Sequence, residues 1–297
     1  MSGPAELAIA AGVVLDVGLK ATAVFAGGAL ACVGLRGQSA AVRHAVWATC
    51  FAAVPLLAWF AAQRGPGVAV DAPWVVALWA AGAAVTALPW LVGLSRLARL
   101  RRTLRPDPTA RGVFHSDQLQ SPVTWGARRP VVVLPDAARS WAPAQRDAAL
   151  AHERAHVTRH DWLVAMGARG LCSLLWFHPL AWWARAALMR EAEHAADDVV
   201  LEEGVRPSDY ASLLLALART GPPRGALGAG ASVVGERVRA VLARRPRSGR
   251  RWPVAVVAGL LAASVLPAWG AWPAWSLPPE QVTCQPGPVA WHPPLQP

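Results

Sequence analysis

Charged side chains are scarce in this sequence, and they are mostly of one kind. Asp, Glu, Lys and Arg make up 16% of the 297 residues, whereas hydrophobic residues make up 54% and tryptophan occurs 16 times. This balance excludes an ordinary soluble enzyme and predicts a membrane protein. The formal net charge is +11 and is carried almost wholly by arginine. The positions of the arginines are therefore more informative than their number.

Several common signatures are missing. The 4 cysteines show no CxxC spacing and most lie in apolar stretches, which excludes a disulfide framework and a cysteine zinc site. No internal repeat, glycine-rich phosphate loop or serine-nucleophile motif is present. No lysine or arginine precedes the first apolar stretch, which argues against a cleaved signal peptide.

A histidine motif stands out in a helical run predicted over residues 143–162. It reads His152-Glu153-Arg154-Ala155-His156. Two histidines four positions apart lie on one face of a helix, where both imidazoles can bind the same zinc ion. The glutamate between them is typical of a general base that takes a proton from the attacking water. The motif therefore predicts a zinc-dependent hydrolase, provided that a third ligand exists.

A second helix is predicted to supply that ligand. Glu193 and Asp197 share one of its faces, so Glu193 can complete the metal site while Asp197 accepts the second N–H of a ligand histidine. A solvated acidic face is the preferred interpretation of three further carboxylates, Glu191, Glu202 and Glu203. The sequence also offers rival ligands: His160, Asp161, His178, His194 and Asp198. His194 is in addition a candidate for stabilising the oxyanion.

Four apolar stretches have lengths typical of transmembrane helices, namely residues 7–35, 45–62, 73–94 and 253–269. Tryptophans near the ends of the second and third are typical interfacial anchors. The first stretch contains Asp16 and Lys20, which we expect to form an intramembrane pair; the alternative is a position near the outer interface. These stretches divide the chain into a three-span transmembrane region (1–105), a zinc metalloprotease domain that contains the histidine motif (106–251), a fourth span (252–270) and a short proline-rich tail (271–297).

Arginine positions predict the orientation in the cell membrane. Arginines cluster between spans one and two, after span three and before span four, and all three clusters fall on one side if four spans alternate. By the positive-inside rule this side is the cytoplasm. The zinc site is then cytoplasmic, and both the N-terminus and the tail are extracytoplasmic. Contact with anionic lipid explains the clusters more simply than nucleic-acid binding.

Short strands are predicted over residues 112–114, 122–125 and 130–134, between the third span and the zinc motif. The run at 131–134 is either an edge strand that holds a substrate backbone or an ordinary core strand. Residues 162–177 form a very apolar helix, which lies either in a core or partly in the bilayer. Amphipathic helices are predicted at 208–219 and 234–243.

Longer strings of residues match a known family. They are Pro122-Val123-Thr124-Trp125-Gly126, Arg129-Pro130-Val131-Val132-Val133-Leu134-Pro135, the zinc motif followed by Val157, Arg159 and Asp161-Trp162, Phe177-His178-Pro179-Leu180, and Glu193-His194-Ala195-Ala196-Asp197. With the order of the spans, these strings resemble the BlaR/MecR membrane zinc metallopeptidases over roughly residues 7–269.

The resemblance implies a Zn²⁺ site of the gluzincin type, with His152, His156 and Glu193 as ligands, Glu153 as the base and Asp197 behind a ligand. It implies a mainly α, polytopic membrane protein with about four transmembrane helices and a cytoplasmic α+β gluzincin-like protease domain between spans three and four. The implied role is signal transduction, by cleavage of a cytosolic winged-helix repressor of the BlaI/MecI type or of the chain itself.

One departure from the family pattern affects this expectation. The β-lactam sensors carry a penicillin-binding domain after the last span, and this sequence has no such acyl-serine sensor. Direct antibiotic sensing by this chain is therefore not expected. Three alternatives stay open: a housekeeping or quality-control membrane protease, a non-enzymatic signalling scaffold stabilised by zinc, and a transport component organised by Asp16 and Lys20.

Overall fold

The structure, a computed structural model, describes residues 4–64, 73–220 and 229–243. Its helices are α1 (Pro4–Gly34), α2 (Ala40–Arg64), α3 (Pro73–Leu100), α4 (Pro143–Thr158), α5 (Asp161–Leu174), α6 (Pro179–Glu202), α7 (Pro207–Thr220) and α8 (Ala229–Leu242). Its strands are β1 (Arg105–Pro106), β2 (Val113–Ser116), β3 (Val123–Trp125) and β4 (Val131–Pro135). The chain is therefore mainly helical with one small sheet.

The first three helices are long and apolar enough to cross a membrane. They coincide with the first three predicted spans, whereas the predicted fourth span and the tail lie outside the described residues. Helix α2 begins five residues earlier than the predicted 45–62. Its first turns include Arg43 and His44, two polar residues that are buried because they contact Glu191 of α6 and Asp161 of α5. Asp16 and Lys20 of α1 form an ion pair, with Lys20 Nζ 2.6 Å from Asp16 Oδ2; its position inside the membrane stays a prediction.

Helices α5 and α6 form a hairpin that packs against the spans. One hydrophobic core contains buried residues of α1, α2, α5 and α6, including Phe25, Trp47, Cys172 and Leu188. Helix α5 also contacts α3 along its length. The apolar helix predicted over residues 162–177 is thus part of a core that it shares with the membrane spans.

The single helical run predicted over residues 143–162 is wrong. Helix α4 ends at Thr158, and α5 begins at Asp161 in a new direction. Between them His160 adopts a left-handed conformation with φ 55°, which a non-glycine residue rarely adopts. This break turns the chain back immediately after the second histidine of the motif.

The sheet has the strand order β1-β2-β4-β3. Strand β4 pairs in parallel with β2 and antiparallel with β3, and all five of its residues are buried. The edge role considered for residues 131–134 is therefore wrong, and the core-strand alternative is correct. A continuous run of branched apolar residues is typical of a strand covered on both faces. Strand β3, which lies beside α4, forms an edge of the described sheet.

Candidate metal centre

Three donor atoms from two helices converge at one point. Helix α4 provides Nε2 of His152 and of His156, which are 3.2 Å apart. From α6, Glu193 lies with Oε2 3.5 Å from the first nitrogen and Oε1 3.7 Å from the second. Tetrahedral zinc with bonds of about 2.05 Å separates its ligand atoms by about 3.3 Å. The triangle therefore has the size and the donor set of a site for a zinc-sized ion.

Asp161 contacts the outer nitrogen of His156. Its Oδ2 lies 2.7 Å from His156 Nδ1, and the guanidinium of Arg159 donates to both oxygens of the carboxylate. Burial raises the pKa of Asp161, but hydrogen bonds from His156 and Arg159 outweigh it and lower the pKa overall. An ionised carboxylate at Nδ1 holds the proton on that nitrogen, which leaves Nε2 free to bind a metal.

Asp197 and Tyr210 surround the outer nitrogen of His152. Asp197 Oδ1 lies 3.3 Å from His152 Nδ1, and the Tyr210 hydroxyl lies 2.9 Å from the same nitrogen and donates to Asp197 at 2.7 Å. Burial raises the pKa of Asp197, but hydrogen bonds with His152 and Arg237 outweigh it and lower the pKa overall. Both ring nitrogens that face away from the centre thus have acceptors beside them.

Arg237 on α8 ties the two carboxylates of α6 together. Its Nη1 lies 2.9 Å from Glu193 Oε2, while Nε and Nη2 donate to the two oxygens of Asp197 at 2.9 and 2.6 Å. Burial raises the pKa of Glu193, but the hydrogen bond with His152 and the charge of Arg237 lower it to about 2. Glu193 is therefore ionised, as a metal ligand must be.

The centre favours positive charge. Burial lowers the pKa of His152, but hydrogen bonds with Asp197 and Glu193 outweigh it and raise the pKa to about 9. Two ionised carboxylates therefore create a potential that attracts a cation to this point, although Arg237 partly opposes it. Glu153, the residue after His152 on α4, is buried and is not one of the three converging donors.

Comparison with known proteins assigns the family. The family model of the BlaR1 peptidase M56 matches residues 67–238, which is more than half of the chain. The chain belongs to the BlaR1 peptidase M56 family. It is also 26% identical over 144 residues to the regulatory protein BlaR1 of Bacillus licheniformis. That alignment covers 42% of this chain and 24% of the relative, so the chain spans about a quarter of the curated relative that it matches.

Histidines outside the three donors have other surroundings in this member of the family. His160 lies in the break between α4 and α5. His178 lies at the far end of α6, with Nε2 2.9 Å from Thr22 Oγ1 of α1. His194 lies with Nε2 3.5 Å from Glu236 Oε1 of α8. Among the described residues the converging group comprises neither these histidines nor the rival carboxylates Asp161 and Asp198.

Helix α2, one of the three helices that are long and apolar enough to cross a membrane, reaches the metal centre. Arg43 donates two hydrogen bonds of 2.8 Å to the carboxylate of Glu191, two residues before Glu193. His44 Nε2 lies 3.7 Å from Asp161 Oδ1. The interpretation of Glu191 as part of a solvated acidic face is therefore wrong, because its side chain is only 19% exposed and is paired.

Sequence reasoning missed Tyr210, Arg237, Asp161 as a histidine partner, and the contribution of α2. The carboxylates of α6 follow from helical spacing, but Tyr210 and Arg237 arrive from separate helices. No local pattern distinguished Arg237, because α8 also carries Glu236 and Arg239. The signal for Asp161 was its position five residues after His156, which becomes meaningful only once the helix break is known.

Proposed function

We propose that this chain is an integral-membrane, zinc-dependent endopeptidase. His152, His156 and Glu193 bind the metal, and Glu153 is the general base. The observation that carries the proposal is the triangle of Nε2, Nε2 and carboxylate oxygen atoms, with an acceptor behind each imidazole. Membership of a family of metallopeptidases supports it.

Each residue has a distinct role in the proposed reaction. A zinc ion held here would polarise the scissile carbonyl and lower the pKa of water toward about 7. Glu153 takes the proton of the attacking water and later delivers it to the leaving amine nitrogen. Asp161 and Asp197 keep the protons of His156 and His152 on Nδ1. Arg237 fixes the Glu193 carboxylate by an ion pair.

Strand β3 is the proposed site for the substrate backbone. It pairs with β4 through Val123 and Trp125 on one side, and it lies beside α4, which carries the motif. An extended peptide can add to such an edge by main-chain hydrogen bonds, with side chains alternating between the two faces. This arrangement would bring a scissile bond to the metal centre with little dependence on its sequence.

The proposed location of the site is the cytoplasmic face of the cell membrane. The start of α2 contacts α6 near Glu193, and the described arginines at this end include Arg36, Arg96, Arg99 and Arg101. Such an excess favours the cytoplasmic side. We propose a signalling role in which a cytosolic repressor or the chain itself is cleaved; the similarity to a regulatory protein supports the signalling part of this proposal.

Replacement of Glu153 by Gln tests the assignment. We expect the purified variant to bind one zinc ion per chain like the wild type, because Glu153 is not a ligand. Cleavage of a peptide mixture and of the chain itself should fall by at least about 100-fold, since the base is lost. Zinc is measured by elemental analysis and cleavage by mass spectrometry.

Glu202→Gln is the matched control, because Glu202 is exposed at the end of α6. It should retain both zinc and cleavage. Cleavage at the wild-type rate by zinc-loaded Glu153→Gln protein would remove the role proposed for Glu153. If that variant also signalled normally in cells, the protein would be a zinc-stabilised scaffold rather than a protease.

A further inference from the structure

The hairpin of α5 and α6 runs alongside the third candidate span. Trp90 Nε1 of α3 lies 3.3 Å from Met166 Sδ near the start of α5. Further along, Trp79 Nε1 donates to the carbonyl of Leu174, at the end of α5, at 2.8 Å. Helices α3 and α5 are therefore antiparallel, and the tip of the hairpin lies close to the far end of α3.

The depth of this tip follows from the rise of an α-helix. At about 1.5 Å per residue, the distance along α3 from Leu94, just before the first arginine of the helix, to Trp79 is about 22 Å. The hydrocarbon core of a bilayer is about 30 Å thick. If α3 crosses the membrane, the end of α5 lies well beyond its midplane.

Helix α1 gives an independent measure of the same depth. His178, in the turn of the hairpin, lies with Nε2 3.2 Å from the carbonyl oxygen of Gly18 and 2.9 Å from Thr22 Oγ1. Along α1, the distance from Gly18 to its end at Gly34 is about 24 Å. The two spans therefore agree on the depth of the hairpin tip.

The polar groups at the tip are satisfied by protein. At the end of α5 and in the turn that follows, the carbonyl of Leu174 accepts a hydrogen bond from Trp79 and that of Trp176 accepts one from Trp182. The carbonyl oxygen of Ser173 lies 3.3 Å from Thr86 Oγ1. His178 Nδ1 accepts from the backbone N–H of Ala181 at the start of α6. Internal satisfaction of helix ends is required in hydrocarbon, where no water replaces a missing partner.

One arginine of the hairpin is held by groups inside the bundle, whereas Nε of a second, Arg185 on α6, is buried without a hydrogen-bond partner among the described residues. Arg169 on α5 donates to the Thr86 carbonyl at 2.6 Å and to Ser173 Oγ at 2.9 Å, and its guanidinium carbon lies 4.8 Å from the centre of the Trp182 ring. An arginine within the hydrocarbon region is tolerated when it is paired with carbonyls inside the helix bundle.

The outward face of the hairpin is apolar. Its exposed large side chains are Leu163, Leu174, Phe177 and Trp183, of which Leu163 and Leu174 are about half exposed. Helix α3, which packs against α5, also exposes large apolar side chains, including Val85 and Leu88. Large apolar side chains exposed on both packed elements indicate contact with something other than water.

We propose that α5 and the first half of α6 form a re-entrant hairpin embedded in the bilayer, with its outward face covered by lipid acyl chains. Three observations carry it: the depth measured on two spans, the hydrogen bonds that protein groups supply at the tip, and the exposure of large apolar side chains on both the hairpin and α3. The metal centre then lies at the membrane surface, because Glu193 is about 22 Å along α6 from His178. This inference is independent of catalysis.

Spin labels on single cysteines test the proposal in full-length protein reconstituted into phosphatidylcholine vesicles. The label is attached at Leu174→Cys or Leu163→Cys after the natural cysteines are replaced by alanine, and zinc content verifies the fold. Collision with oxygen, which concentrates in acyl chains, is compared with collision with a water-soluble nickel chelate. We expect oxygen to dominate at Leu174→Cys, as at Leu88→Cys on the span, a smaller excess of oxygen at Leu163→Cys near the membrane surface, and nickel to dominate at Glu202→Cys.

Two outcomes would overturn the proposal. Nickel accessibility at position 174 equal to that at 202 would mean that the hairpin lies in water. Low accessibility to both reagents would mean that a second copy of the chain covers the face. As a second measurement on the unmodified protein, a lipid with a photoreactive group in its acyl chain should label peptides from residues 161–190 as strongly as peptides from α3, and the absence of such labelling would refute the hairpin.

Discussion

At the scale of single residues, Arg237 contacts three side chains of the candidate metal centre. It binds the ligand Glu193 and both oxygens of Asp197, and its Nη2 lies 3.4 Å from His152 Nε2. Two effects on metal binding therefore oppose each other. The ion pairs hold the carboxylates in position, whereas the charge of the guanidinium repels a cation. Because three charge-assisted hydrogen bonds are lost together, we expect loss of positioning to dominate.

Replacement of Arg237 by Gln should weaken zinc binding by about 10- to 100-fold. The dissociation constant is measured by competition with a zinc-binding dye in purified protein. Arg239→Gln is the control, since Arg239 is exposed and lies two residues after Arg237, about half a turn around the same helix; it should change the constant by less than about twofold. Tighter binding in Arg237→Gln would show that repulsion outweighs positioning.

The residues that the sequence could predict are those related by helical spacing. His152 and His156, or Glu193 and Asp197, need only the knowledge that four residues make about one turn. Tyr210 and Arg237 come from α7 and α8, and no local pattern relates them to α4 or α6. Their positions depend on how the helices pack, which a single sequence does not specify.

At the scale of secondary-structure elements, the first turns of α2 connect the membrane region to both helices of the metal centre. Arg43 binds Glu191 of α6, and His44 faces Asp161 at the start of α5. The side chains of Arg43 and Glu191 are 9% and 19% exposed. Removal of one partner from such a buried pair leaves a charge without compensation, which is costly.

Arg43→Gln should therefore lower the free energy of unfolding by about 3 kcal/mol. The measurement is thermal unfolding of the detergent-solubilised protein. Arg36→Gln, in the exposed turn between α1 and α2, should have almost no effect. The double variant Arg43→Gln with Glu191→Gln should recover most of the loss, because no unpaired charge remains. A double variant as unstable as the single one would contradict this account.

The elements themselves were predicted with uneven success. The three spans and the strand at 131–134 follow from continuous apolar runs, which are removed from water whichever elements pack against them. The end of α4 was missed because the spacing of apolar residues does not indicate that His160 adopts a left-handed conformation. The carboxylate of Asp161, the next residue, is bound by His156 and Arg159. These side-chain contacts favour the break.

At the scale of the whole molecule, the two ends of α2 should face opposite sides of the membrane. The metal centre adjoins its beginning, and Gln63 lies exposed at its other end. The proposed cytoplasmic location of the centre predicts which end can be reached from outside the cell. The predicted fourth span does not enter this test, because both positions lie in described helices.

A membrane-impermeant maleimide should label Gln63→Cys in intact cells, in a chain whose natural cysteines are replaced. Arg154→Cys, on the exposed face of α4, should be labelled only after the membrane is permeabilised. The reason is that the arginine-rich end adjoining α4 is proposed to face the cytoplasm. Labelling is read by mass shift on a gel. The reverse pattern would invert the orientation and would move any substrate to the outside.

Helix α6 is unbroken from Pro179, beside the hairpin turn, to Glu202, and Glu193 lies in its second half. Such a rod cannot shorten when its membrane end is displaced. With the hairpin immersed in lipid as proposed, a thinner or thicker bilayer would push or pull the rod along its axis. The carboxylate of Glu193 would then slide relative to the two imidazoles of α4, and the lipid composition of the membrane would set how tightly the protein holds its metal.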